Sequence, residues 1–326
     1  MRRIIDLNQD WRFHRAEDLS AECTNYGLPA VKNPEPRQWQ KAGWHSISMP
    51  GNPHIEKWRR VDVPHDFLIE GRFSRRAPGK TGSLPYGQAW YARDFKLAGL
   101  HRSQRVFVEF DGIYRDSQVY VNGHFIGRRM SGYVSVSYDI SAMCDYRGNN
   151  RIAVFADATQ TEQWSYQGGG IYRAVRLVVT NAVHVDHWGV EIRTKNNGAV
   201  EVAVTIANES DDPARCSVEA RVLKTGAQRG GELIVGAHKK ATASLNMRVA
   251  RPRRWELDDP HLYRLQVKLR VRGRVVDTVE AAFGFREIRF RGKNGFRLNG
   301  RRLKLKGTCC HQDAAGVGVA VPPELW

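Results

Sequence analysis

The sequence predicts an all-β chain: two successive β-sandwiches followed by the start of a third, unfinished element. Strand-period runs of β-branched and aromatic residues recur throughout, while helix-period patterns are scarce. The dipeptides Asn122-Gly123 and Asn299-Gly300 sit between alternating apolar residues. They mark tight hairpins, because such turns require φ > 0 at both central positions. The texture of the chain changes near Thr180 and again near Ile288, and 326 residues exceed one domain at ~100–200 residues each. These breaks set expected domains of 1–183, 184–287 and 288–326.

In the first stretch, Arg105 to Tyr114 reads as a strand, and Val119–Val121 with Phe125–Ile126 make a hairpin around Asn122-Gly123. Strands are expected again at Tyr133–Tyr138, Arg151–Phe155 and Ile171–Val179. Their turn-rich spacing is that of sandwiches and barrels. In the second stretch, Val200–Ile206, Cys216–Leu223, Ala243–Val249 and Leu262–Val271 are shorter, regularly spaced strands. Asp211-Asp-Pro, Gly230-Gly and Asp258-Asp-Pro are expected as the loops between them. About 100 residues of this pattern suit a seven-stranded immunoglobulin-like sandwich, without the Cys…Trp…Cys spacing of antibody domains. In the third, Arg302-Leu-Lys-Leu-Lys-Gly307 alternates and runs into Thr308-Cys-Cys-His-Gln-Asp313, and Pro322-Pro-Glu-Leu-Trp326 has the form of a helix start.

Composition narrows the function classes. Lys and Arg outnumber Asp and Glu by 51 to 34, a net charge of +17. The basic residues are scattered in pairs such as Arg2-Arg3, Arg75-Arg76 and Arg253-Arg254, with no stripe interleaved with stacking aromatics. A solvated Arg-rich surface is therefore expected, and a nucleic-acid partner is not. Five cysteines without regular spacing suit reduced thiols, and the first eleven residues turn polar at Asp6, so neither a disulfide framework nor a signal peptide is expected. No apolar run approaches the ~20 residues of a membrane span. Together these point to a cytoplasmic protein.

Six segments in order carry a family resemblance: Val61-Asp-Val-Pro-His-Asp66, Trp90-Tyr-Ala-Arg-Asp-Phe95, Val119-Tyr-Val-Asn-Gly-His-Phe-Ile-Gly127, Gly168-Gly-Gly-Ile-Tyr-Arg173, Phe283-Gly-Phe-Arg286 and Asn299-Gly-Arg-Arg-Leu-Lys-Leu-Lys-Gly307. With them the chain resembles the N-terminal part of glycoside hydrolase family 2, in its β-galactosidase-like branch. The resemblance implies a jelly-roll, galactose-binding-like sandwich over 1–183, the immunoglobulin-like sandwich over 184–287, and over 288–326 the first strand of an incomplete (β/α)₈ barrel. It also implies a parent that hydrolyses terminal β-D-galactosides with retention, with β-glucuronidase and β-mannosidase types as neighbours. Retention needs two carboxyls ~5 Å apart, carried in a barrel at the C-terminal ends of different strands. A barrel takes ~250 residues, so both glutamates are expected beyond residue 326. No catalytic residue, metal or cofactor is therefore assigned, and the chain alone is expected to be inactive.

The partners implied are a β-galactoside or related carbohydrate and a barrel segment encoded separately. Homo-oligomerisation of the full-length parent stays open, as does a non-catalytic carbohydrate-binding role. Three residues are candidates for sugar contact by resemblance. His311 follows the alternating 302–307 strand and would emerge at the catalytic face, although the run reads His311-Gln-Asp-Ala314 and lacks the family's second histidine. Glu162 precedes Gly-Ile-Tyr-Arg, where the family places an acidic residue on sugar hydroxyls, and Trp164 offers an aromatic face. His65-Asp66 is not expected to be a dyad, since neighbours on an extended segment point to opposite faces. Asp116 is expected as a buried ion-pair or cap group. Cys309-Cys310-His311 is a poor metal site because adjacent ligands cannot easily share one tetrahedral ion.

Overall fold

The structure, a computed structural model, describes residues 1–19, 46–79, 82–160, 165–290, 292 and 295–325. Among the described residues, ten strands belong to the first part of the chain: β1 (Arg3–Asp6), β2 (Trp11–Arg15), β3 (Arg59–Val61), β4 (Gln88–Lys96), β5 (Gln104–Phe110), β6 (Ser117–Val121), β7 (His124–Arg129), β8 (Val136–Asp139), β9 (Asn149–Asp157) and β10 (Val175–Asn181). Seven follow: β11 (Val183–Thr194), β12 (Ala199–Asn208), β13 (Ala214–Val222), β14 (Gln228–Val235), β15 (Lys239–Arg248), β16 (Tyr263–Val271) and β17 (Arg274–Phe283). Three short ones close the set: β18 (Ile288–Phe290), β19 (Phe296–Leu298) and β20 (Arg301–Arg302). The chain falls into two units, one of Ile4–Val178 with Cys310–Trp326, the other of Met1–Arg3 with Val179–Cys309.

The first unit is built on a six-stranded sheet in the order β3-β2-β4-β9-β6-β7 and a four-stranded sheet in the order β1-β10-β5-β8. Its central strands β4 and β9 are buried on both faces, which is why they read as continuous apolar runs. One row (Trp11, Phe13, Tyr91, Val119, Ile152 and Val154) is buried as an inner layer. The opposite row, with Trp90, Ala92, Tyr120 and Ala153, packs against Ile47, Ile55 and Trp58 of a covering segment. Asn122 and Gly123 have φ of 48° and 90°, as the hairpin between β6 and β7 demands.

The second unit holds the seven-stranded sandwich, a three-stranded sheet (β11-β12-β15) on a four-stranded one (β14-β13-β16-β17). Alternate residues of both sheets, such as Val202, Val204 and Ile206 with Val218, Ala220, Leu265, Val267 and Leu269, form one core. Cys216 packs into that core as a free thiol. The expected loop at Gly230-Gly is corrected: both glycines lie within β14, opposite Glu219 and Val218. The turn lies earlier, where Lys224 and Gly226 take φ of 64° and 75°. Edge strand β14 tolerates glycine, and a Cβ at Gly231 would press on Leu245 at 3.1 Å.

The 288–326 stretch divides between the units. Strands β18–β20 form a small antiparallel sheet in the second, with Asn299 and Gly300 at φ of 51° and 83°. Residues 303–313 carry neither helix nor strand, so the alternating Leu303–Lys306 run is not a strand here. A barrel strand is held by neighbours on both edges, and here, among the described residues, only Leu303 pairs, its amide donating to the Phe296 carbonyl at 3.0 Å. Residues 310–325 belong to the first unit, where Ala314 bridges Gly318 in a tight turn and Ala320 is buried.

Candidate functional site

The polar centre of the first unit is assembled where three segments meet: 65–68 after β3, 165–171 before β10, and 314–320. The first two run side by side. The His65 amide donates to the Ile171 carbonyl at 2.8 Å and the Phe67 amide to the Gly169 carbonyl at 2.9 Å. Because this backbone is extended, His65 and Asp66 project to opposite faces. His65 contacts the Tyr91 hydroxyl through Nδ1 at 2.8 Å and Glu70 through Nε2 at 3.0 Å. Asp66 turns inward and is 2% exposed.

The Asp66 carboxylate accepts four hydrogen bonds. Oδ1 takes the amides of Leu68 and Gly169, each at 3.0 Å. Oδ2 takes the Tyr166 hydroxyl at 2.6 Å and the Val319 amide at 3.0 Å. Burial pushes this carboxyl above the ordinary range, and the four donors pull it back only in part. The Tyr166 phenol is pushed up as well, first by burial and then by the Asp66 charge. With its oxygens occupied by donors, Asp66 anchors backbone rather than exchanging protons with a ligand.

The Gly168-Gly-Gly170 run fits this crowding. Gly168 has φ of 69°, and a Cβ there would overlap Val319 and the Asp66 carboxylate. A Cβ at Gly170 would overlap the Tyr91 hydroxyl. Close backbone approach is what these glycines allow. Beside them Gln167 is buried, accepting from the Tyr114 hydroxyl at 2.6 Å and donating to the Tyr133 hydroxyl at 2.8 Å. The main chains of Tyr114 and Gly170 exchange two hydrogen bonds, fixing the far end of the 165–170 segment.

Of the three sequence-derived sugar contacts, Glu162 and Trp164 lie outside the described residues. His311 is exposed, on the irregular 310–313 segment that leads into the 314–318 turn. Val319, just past that turn, is the residue of the tail that Asp66 grips, so the structure brings the segment that follows His311 to the 165–170 loop. Asp116 pairs with Arg128 through two bonds of 2.6 Å, an ion pair as expected, but one exposed to solvent rather than buried. Cys309 and Cys310 are exposed thiols. Sequence reasoning passed over Asp66 as the hub. Its one local signal was an Asx turn to Leu68, whereas its other partners lie 100, 103 and 253 residues away.

The fold is of the modular all-β class, a jelly-roll sandwich followed along the chain by an immunoglobulin-like one. Residues 78–181 match the sugar binding domain of glycosyl hydrolases family 2, and residues 183–286 match a second model of glycosyl hydrolases family 2. The chain belongs to this family. It is 32% identical, over 98% of its length, to the β-galactosidase BoGH2A of Bacteroides ovatus, of which it covers 36%. It is 30% identical, over 85% of its length, to a putative β-glucuronidase of Formosa agariphila, covering 28% of that protein. Among solved structures, a β-glycosidase from Bacteroides vulgatus superposes with a TM-score of 0.78 at 28% identity, over 99% of this chain and 39% of the other. The chain thus spans roughly a third of these relatives' length.

Proposed function

We propose that these residues form the β-domain portion of a β-galactosidase-type glycosidase and supply one wall of its sugar site. In this reading the hydrolytic carboxyls reside on a (β/α)₈ barrel outside residues 1–326, and His311, Glu162 and Trp164 reach the sugar. The observation that carries it is the ordered pair of family matches over 78–181 and 183–286, together with 32% identity to a β-galactosidase along nearly the whole chain. The 30% identity to a putative β-glucuronidase supports the second substrate reading, a terminal glucuronide. We place the protein in the cytoplasm on its scattered cysteines.

The test is turnover. Purified chain 1–326 should release no nitrophenol from nitrophenyl β-galactoside, and galactose should bind no more tightly than millimolar by calorimetry. One hydrogen-bonded carboxylate contributes about 1.5–3 kcal/mol, well short of the ~8 kcal/mol that micromolar affinity requires. Supplying a barrel segment should restore activity, and comparing galactoside with glucuronide then decides the substrate. Turnover by the isolated chain would overturn the reading. A micromolar galactose complex abolished by Glu162→Gln would favour a self-sufficient carbohydrate-binding protein.

A further inference from the structure

We infer that Asp66 is a positioning residue whose carboxylate latches the main chain of the 314–320 turn onto the first sandwich, and so fixes the segment that carries His311. Three observations carry it. Oδ2 reaches across 253 residues of sequence to the Val319 amide at 3.0 Å, while Oδ1 is committed to Leu68 and Gly169 on the sandwich itself. One carboxylate therefore holds both partners, one with each oxygen. The tail is shaped for that grip: Gly316 and Gly318 take φ of 83° and 58°, and a Cβ at Gly318 would overlap Asp66 Oδ2. The receiving side is shaped too, since a Cβ at Gly168 would displace Val319, and Tyr166 fills the remaining position on Oδ2.

Recognition here is of backbone, not of side chains. The docked turn, Ala314-Ala-Gly-Val-Gly-Val-Ala320, has no charged residue, so a buried carboxylate meets only amide dipoles and a phenol. That is a charge-assisted geometry in which each donor is fixed by its own backbone. An amide side chain at position 66 would turn one face from acceptor to donor and oppose an N–H already aimed at it. The docked turn begins at Ala314, one residue past Asp313, and the latch closes at Val319. It thereby sets where His311 sits relative to the 165–170 loop. Only the assignment of a sugar to His311 rests on the function proposed above.

Hydrogen exchange on the intact chain tests it. Amides of 314–320 should exchange at least about tenfold more slowly than those of 307–312, as docked backbone does relative to open backbone. Asp66→Asn should abolish that difference. Because Asp66→Asn also disturbs the Leu68 and Gly169 bonds, Gly318→Val serves as the second variant. It should release the tail while leaving the exchange of β4 and β9 unchanged. Tyr166→Phe, which keeps the Val319 bond, should retain most of the protection. Equal exchange of 314–320 and 307–312 in the native chain would overturn the latch, as would protection that survives both Asp66→Asn and Gly318→Val. Turnover of nitrophenyl β-galactoside by the isolated chain would count against the proposed function alone.

Discussion

Arg151 on β9 stands directly opposite Asp94 on β4, and the two side chains pair side-on, Nε donating at 2.5 Å and one terminal nitrogen at 2.7 Å. Arg151 also donates to the carbonyls of Met49 and Asn52 and to Glu56. One cation thus pins the segment covering Trp90 and Ala153 to the sheet beneath it. Its side chain is 2% exposed, whereas those of Asp94 and Glu56 are about half exposed.

Replacing Arg151 by Met should therefore cost about 2–4 kcal/mol, because two carbonyls and two carboxylates lose a shared buried partner. Asp94→Asn should cost under about 1 kcal/mol, since that carboxylate is partly in water. Urea unfolding of the two variants checks both. Equal losses would show that Arg151 is held by packing rather than by its ion pairs.

A second buried charge concerns the chain's first residues. Asp277 on β17 has no exposure, and it accepts from Arg2 at 2.9 and 3.2 Å and from the Val185 amide at 2.9 Å. Arg2→Ala should destabilise the immunoglobulin-like unit by about 3 kcal/mol, the scale for stranding one member of a buried pair. The Arg2→Ala/Asp277→Ala double variant should lose less than the two single losses added together, and the coupling is read from a double-mutant cycle. Additive losses would mean that the pair does not interact in solution.

Glu70 gives a pH dependence. Partial burial pushes its carboxyl up, but hydrogen bonds and charge from His65 and Arg59 outweigh this and hold it at about 2, against an ordinary 4.5. The folded chain therefore binds this proton less readily than the unfolded chain. The stabilisation is full above pH 4.5 and is lost as pH falls toward about 2. Glu70→Gln should lower the thermal midpoint at neutral pH and converge with the native chain near the acid end of that window. A difference that stays constant across it would assign Glu70 a purely steric role.

Legibility from sequence followed the range of the interactions. Asn122-Gly123 and Asn299-Gly300 read correctly as hairpins because a turn is decided by the φ its own two residues tolerate. Gly230-Gly231 misled for the converse reason. Glycine permits a loop without requiring one, and pairing with β13 drew both residues into an edge strand. The Leu303–Lys306 alternation has strand character, but alternation supplies faces and not neighbours, so the segment stays irregular. The means of holding the segment after His311 left no signal in the sequence, because Asp66 and Val319 are 253 residues apart.

By itself the sequence determined two β-sandwiches, their hairpins and the family, because each rests on residues close together in the chain or on motifs in order. Tertiary structure decided which polar groups became centres. Asp66, Arg151 and Asp277 are ordinary charged residues in the sequence, and each is buried against partners up to 253, 102 and 275 residues away. The reason is physical: burying a charge costs far more than a local contact returns, and only an assembled fold can surround it with enough donors or acceptors to offset that cost.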